Sequence, residues 1–485
     1  MNRRQFVLAS LFSAARPLRV FAQTEALREK LMRDPLRPRF HLLPRANWMN
    51  DPCAPRFFGG QYHMFFQHNP EAAVWGDMHW AHATSPDLVH WKHLPIALSP
   101  TPGSYDAYGC FTGSVLPGLD TPSILYTGVT RCSPQQETIR GEGIREVQCL
   151  ATSTDSELRT WKKLDKPVLE NPPMAVTGFR DPCPWKDGDT WYLGVGSGFN
   201  KVGGAVLLYS SRDGRHWTYL HPLAQGEWNR GTHTNPVDTG EMWECPDFFP
   251  LGDKHVLLYS TERKVYWEVG VFGRADLRFH REERGVLDHG SYYAMKSMPD
   301  AKDRRILWGW VQETRNPEEC RAAGWAGCMA LPRVLSLGSD HRLRMDVVPE
   351  FASLRLAGPA GIRIKERAGE VICKFRAGKS AWGLELRTGG TALFVLRYDG
   401  GGKAVVTMGG KTVPLSPDAD GYSLLHLWID GSVIEAFLDS REALTARSYT
   451  PSPDGVEVIW TGDRESLKNL AVSNLKPISA DRLTS

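Results

Sequence analysis

After its N-terminus this sequence has no run approaching the ~18 consecutive apolar residues that a membrane-spanning helix needs. Nor is there a Cys-x-x-Cys pair among its nine cysteines (53, 110, 132, 149, 183, 245, 320, 328 and 373), which argues against a zinc ribbon. An odd number spread over 485 residues is no disulfide framework, and most of these cysteines read as small buried hydrophobes. An excess of charge is missing too. Lys and Arg total 58 against 55 Asp and Glu, so the basic footprint of a nucleic-acid binder is absent. No His-Glu-x-x-His motif occurs, although His63, His68, His79, His82, His90 and His93 crowd one segment. They fall in strand-like stretches and read as packed or hydrogen-bonded rings, so no metal is expected. Helical periodicity is scarce, with Glu25 to Arg33 the one candidate.

What is abundant is aromatic. The chain has 17 Trp, 14 Tyr and 19 Phe, punctuated by 46 Gly and 33 Pro. That composition predicts an all-β protein with aromatic side chains free to line a sugar site. Strand signals recur at Gln61–Phe66, Ser123–Thr127, Thr190–Val195, His255–Ser260 and Arg305–Trp310. Between them a local pattern repeats: Ser85-Pro86-Asp87 with Trp91, Ser153-Thr154-Asp155 with Trp161, Ser211-Arg212-Asp213 with Trp217, and a weaker Arg274-Ala275-Asp276. The aspartates step by 68, 58 and 63 residues. A β-rich unit of this length is a propeller blade: Ser and Asp close a turn on the backbone, and Trp packs back onto the sheet. Four repeats and the fifth strand set predict a five-bladed β-propeller over residues 38–337. After Pro332 the Trp content falls. Short strands with Asp399-Gly400 and Asp430-Gly431 turns predict a separate C-terminal β-sandwich over 350–478. At the other end, Asn2-Arg3-Arg4-Gln5-Phe6-Val7-Leu8 and the small residues near Ala22 read as a twin-arginine export signal over residues 1–22, so the chain is expected to be exported.

Three acids stand in related contexts: Asn47-Trp48-Met49-Asn50-Asp51-Pro52, Phe179-Arg180-Asp181-Pro182 and Met242-Trp243-Glu244-Cys245-Pro246. Asp51 and Asp181 are 130 residues apart, about two blades; Asp181 and Glu244 are 63 apart, about one. Each acid is therefore expected at the same place on a different blade, converging at the propeller axis. Such a set suits glycoside hydrolysis. An ionised carboxylate must sit beside the oxocarbenium-like carbon, and a carboxyl whose pKa is raised by burial must protonate the leaving oxygen. A third can hold hydroxyls and stabilise positive charge.

From Phe40 to Leu475 these residues resemble glycoside hydrolase family 32, the invertase and fructan-hydrolase family. Trp48-Met49-Asn50-Asp51-Pro52 looks like its nucleophile motif, Arg180-Asp181-Pro182 like that of its transition-state stabiliser, and Trp243-Glu244-Cys245-Pro246 like its acid/base motif. Phe66-Gln67-His68-Asn69-Pro70, Trp75-Gly76 and Phe111-Thr112-Gly113-Ser114 match fructose-binding segments, and Trp428 to Phe437 matches the sandwich signature. Asp288 to Lys296 is closer to the plant-type branch. Cys53 and Thr112 stand where the family usually has Asn and Ser, and a clean Asp and Lys pair is missing around Glu262 and Lys264. The resemblance implies a retaining exo-β-fructosidase in which Asp51 attacks, Glu244 is acid and base, and Asp181 stabilises, with Arg180 fixing its ionised form. It places Trp48, Asn50, Gln67, Trp75, Phe111, Thr112, Arg180 and Trp310 around the substrate. It implies sucrose as substrate, with levan or inulin as the alternative, and no cofactor. A carbohydrate-binding propeller without catalysis has no need of all three acids.

Overall fold

The computed structural model describes residues 16–139, 141–232, 235–358 and 361–482, with backbone only for 16–24. Most of the expected export signal, residues 1–15, lies outside the described residues. Its last residues open a helix, Arg16–Arg33, which is longer than the periodicity predicts. The second half of that helix lies on the propeller: Leu31 is buried in the main core, with Leu27 and Met32 packed against it.

Five antiparallel sheets form the propeller, and each inner strand runs along the axis. The inner strands are Asn47–Phe58, Gly109–Leu116, Phe179–Asp187, Glu244–Leu251 and Tyr292–Pro299. The ring closes through residues 325–329. Trp325-Ala326 pairs in parallel with Asn47-Trp48 of blade one, while Cys328-Met329 pairs with Trp310-Val311 of blade five. Gly327 turns between them with φ 76°, and a Cβ there would meet the Met49 carbonyl oxygen at 2.0 Å. The last strand of blade five is Leu343–Val347, ten residues past the expected end at 337.

The repeated Ser/Asp turns join the third and fourth strands of the blades. In blade one the Asp87 carboxylate accepts from the backbone N–H groups of Val89 and His90, and Trp91 Nε1 donates to the Leu88 carbonyl at 3.1 Å. Blade two repeats the arrangement with Asp155 and Trp161, whose Nε1 donates to Leu158 at 2.8 Å. The crowded histidines are structural: His63 and His82 bond ring to ring at 3.0 Å, His82 stacks on Phe65, and His68 bonds the Trp48 carbonyl. Burial holds His63 and His68 down to about 4, so both are neutral at ordinary pH. All nine cysteines are free, and eight are buried.

The inner strands share one further feature. Each carries a β-bulge near its first residues, where the pairing skips: between Met49 and Pro52, Phe111 and Gly113, Arg180 and Cys183, Glu244 and Asp247, and Tyr293 and Lys296. A bulge re-aims a side chain out of the strand's alternation. Asp181, Cys245 and Ala294, inside three of the bulges, have φ of 63°, 50° and 52°. Such left-handed residues cost of order 1 kcal/mol each and concentrate at functional sites.

The sandwich comprises a six-stranded and a five-stranded sheet enclosing their own apolar core. Its joint with the propeller is a buried polar network. Arg333 Nη2 donates to Asp288 Oδ2 at 2.9 Å, Glu435 Oε2 at 2.8 Å and Thr445 Oγ1 at 3.0 Å. His41 bridges Asp430 at 2.8 Å and Glu435 at 3.0 Å. Burial disfavours a charged His41 ring, but these two carboxylates outweigh it and raise its pKa. Removing one partner of such a network strands the rest without compensation. Arg333→Ala is expected to cost about 3–5 kcal/mol and lower the Tm by several degrees in thermal unfolding. An unchanged Tm would mean that apolar packing alone holds the joint.

Candidate active site

A cavity of about 430 Å³ opens at the end of the axis where the bulges lie. Asp51, Asp181 and Glu244 all line it, from blades one, three and four, with Asn50, Gln67, Trp75, Phe111, Thr112, Arg180 and Trp310. Asp51 is held on both oxygens. Asn50 Nδ2 donates to Oδ1 at 3.0 Å, Thr112 Oγ1 donates to Oδ2 at 2.6 Å, and the Cys245 thiol approaches Oδ2 at 3.4 Å. Asp181 Oδ2 accepts the backbone N–H of Cys245 at 2.8 Å. Cys245 thus touches both aspartates and is bonded to Glu244, which ties the three acids into one cluster. The Asp181 N–H in turn donates to Thr127 Oγ1 at 2.9 Å.

The spacing alone predicts equivalent positions for the three acids, and the structure departs from that. Glu244 is the last paired residue before its bulge, Asp181 the first residue within its bulge, and Asp51 the second. Three successive steps of one repeated distortion point three carboxyls at one space from three directions.

Arg180 also departs from expectation. It makes no hydrogen bond to Asp181 among the described residues. Its Nε and Nη2 donate to Glu244 Oε1 at 3.2 and 2.9 Å, and Nη1 donates to Glu146 Oε1 at 2.9 Å. The guanidinium orients the acid on blade four and is anchored by a buried carboxylate from blade two; Asp181 feels it only as a nearby charge. Tyr293 donates to the other Glu244 oxygen, Oε2, at 2.7 Å.

Residues 41–346 match the glycosyl hydrolases family 32 N-terminal domain, and residues 355–474 match the family's C-terminal domain. The chain belongs to glycosyl hydrolase family 32. Sucrose-6-phosphate hydrolase from Escherichia coli is 34% identical to it over 458 residues, covering 87% of this chain and 91% of that protein. Raffinose invertase from Escherichia coli is also 34% identical, over 86% of this chain and 90% of that protein. Among solved structures, a mutant beta-fructofuranosidase from Bombyx mori in complex with sucrose superposes with a TM-score of 0.77 at 26% identity, covering 95% of this chain and 98% of that one.

Within this family 32 site the remaining expected residues divide. Gln67 is buried and donates to the Cys110 carbonyl at 2.9 Å. Trp75 is 49% exposed on the rim, edge-on to Phe111. Trp310 lines the wall, its indole N–H without an acceptor among the described residues. Trp48 is not on the wall: it packs on Trp310 and donates from Nε1 to Asn50 Oδ1 at 2.7 Å, which fixes the amide that holds Asp51. Glu262 bonds Tyr266 and Asn229, and neither it nor Lys264 lines the cavity. The sequence reading missed Glu146, Tyr293, Cys245 and Arg131 as site residues. Tyr293 had a signal, since it lies in Asp288 to Lys296, a segment that resembles the plant-type branch of the family. Glu146 had none, because its role comes from packing against blade three.

Burial raises the Asp181 carboxyl from 3.8 to about 7, and the charges of Glu244 and Asp51 add to it, against the opposing effect of Arg180. Burial likewise raises Asp51, opposed by its bonds from Thr112, Asn50 and Cys245. An acid raised in the folded state binds a proton that the unfolded chain releases between about pH 4 and 7. Its destabilising contribution therefore grows as pH rises through that window and is complete above it. Asp181→Asn is expected to raise the Tm at pH 8 by about 2–5 °C, leave it little changed near pH 4, and abolish turnover. A Tm at pH 8 equal to or below the parent's would contradict the burial argument.

Proposed function

We propose that this chain is a retaining exo-β-fructosidase that hydrolyses terminal β-D-fructofuranosides, with sucrose its principal substrate. The observation that carries the reading is the linked cluster of Asp51, Asp181 and Glu244 on one cavity wall. In the first step an Asp51 oxygen attacks C2 of the fructosyl unit. Oδ1, which accepts only the Asn50 bond, is the freer of the two. The bond from C2 to the bridging oxygen breaks, and Glu244 gives that oxygen its proton, releasing glucose. In the second step Glu244, now a carboxylate, takes a proton from water as the water oxygen attacks C2 and Asp51 departs. Asp181 accepts from fructose hydroxyls and offsets the positive charge on the ring in both transition states. Thr112 keeps the hydroxyl that a Ser would bring, so that departure from the family pattern leaves the Asp51 bond intact.

Purified protein incubated separately with sucrose, inulin and levan tests the reading. Equimolar glucose and fructose from sucrose, with little sugar from the polymers, is the expected result. Fructose released mainly from a polymer would keep the mechanism and reassign the chain as a fructan exohydrolase. A Cichorium intybus fructan 1-exohydrolase superposes with a TM-score of 0.74 at 25% identity, over 91% of this chain and 98% of that one. The half-exposed Trp75 on the rim offers a longer chain a stacking surface. Release from none of the three would remove the catalytic assignment.

A further inference from the structure

The propeller has a second cavity, of about 530 Å³, lined by the far ends of the inner strands, away from the bulges. None of the three acids lines it. Each blade contributes a polar group: Arg56 from blade one, Ser114 from two, Lys186 from three, Asp247 from four, and Lys296 and Arg305 from five. Asp120 is the other carboxylate on the wall, so four cations face two anions.

Their pairing is incomplete. Among the described residues Arg56 Nε and Nη1 are buried with no acceptor, and burial lowers its pKa with no carboxylate opposing. Its guanidinium lies over the Phe58 ring at 4.7 Å and makes no ion pair among the described residues. The Ser114 hydroxyl is also buried without a partner among the described residues. Arg305 donates to Ser297 Oγ at 2.7 Å and stands 3.8 Å from Asp247, whose other oxygen is taken by Ser297. Lys296 donates to the Pro246 carbonyl at 2.8 Å.

A half-buried guanidinium without a counter-charge is unfavourable unless something supplies one. We infer that this cavity is a binding site for a small phosphate dianion, free or carried on a hexose, with Arg56 its principal anchor and Ser114 and Arg305 beside it. A guanidinium suits a phosphate oxyanion by charge-assisted hydrogen bonding, and the surplus of positive charge on the wall suits a dianion. The volume exceeds what inorganic phosphate fills and leaves room for a sugar.

The test is calorimetric titration of the full chain with inorganic phosphate and with glucose 6-phosphate, in buffer holding saturating fructose to occupy the active site. Saturable binding at one site is expected. Arg56→Met should weaken it about tenfold or more, and Ser114→Ala, which loses only a hydroxyl, by a smaller factor. Activity on sucrose should be unchanged in both. Arg56→Met should melt no lower than the parent in phosphate-free buffer, and phosphate should raise the Tm of the parent by more than that of the variant. Tighter binding of the hexose phosphate would assign the site to a sugar ester, and equal binding to the free oxyanion. No saturable binding of either probe in the presence of fructose, or equal affinity in Arg56→Met, would each overturn the inference.

Discussion

Asp51→Asn removes sucrose turnover, with kcat falling by about 10⁴-fold or more, equivalent to at least about 5 kcal/mol of transition-state stabilisation. The size follows from what the residue does. An amide of the same shape cannot form the ester to C2, so the double displacement has no first step. The fold should tolerate the change. The introduced amide would keep its oxygen toward the Asn50 side chain and turn its NH₂ toward Thr112 Oγ1, which can accept as well as donate. The variant should also bind sucrose with near-parent affinity, because the remaining pocket residues are untouched. Equal melting temperatures, with turnover lost and binding kept, separate a chemical role from a structural one. Turnover within tenfold of the parent's would remove Asp51 from the mechanism.

Glu244→Gln acts on both steps and its effect depends on the leaving group. On sucrose, loss of acid and base should reduce kcat by about 10²–10⁴-fold. On a fructoside whose leaving group is already a stable anion, the first step no longer needs a proton, and only the second remains slow. The first turnover should then appear as a burst followed by a slow steady rate. A small nucleophile such as azide, which needs no deprotonation, should restore the second step. Arg180 and Tyr293 hold the two oxygens of this side chain from blades three and five, and Gln can still accept from Arg180, so the geometry survives the substitution. Equal losses on both kinds of substrate, with no burst, would show that Glu244 supports the fold of the site and does not transfer protons.

Much of this was legible in the residues because it rests on short-range chemistry. The Ser/Asp turn needs only a side-chain oxygen and two or three following N–H groups, so it marks each blade wherever it occurs. The three acids stood out because two precede Pro directly and the third by one residue, in contexts repeated at blade spacing. What pairing across the molecule decides was not legible. Bulge positions follow from strand register, and they displaced Asp51, Asp181 and Glu244 from the equivalence that spacing implied. Arg180 was read with its sequence neighbour Asp181, whereas the inner strand's geometry sends its side chain between Glu244 and Glu146. The final strand of blade five, Leu343–Val347, is five residues long and has no Trp, so the drop in aromatic content placed the domain end too early. The joint residues Arg333, Asp288 and Glu435 lie in segments that matched the family, yet their common role appears only when the two domains meet.

The most direct test of the central claim is to trap the covalent intermediate. Glu244→Gln protein is mixed with an activated β-fructoside, quenched at the end of the burst, and weighed intact and as peptides. The mechanism predicts a mass increase of one fructosyl unit, on the peptide containing Asp51 and absent from the Asp51→Asn, Glu244→Gln double variant. An adduct on any other residue, or a burst of leaving group with no adduct at all, would contradict it.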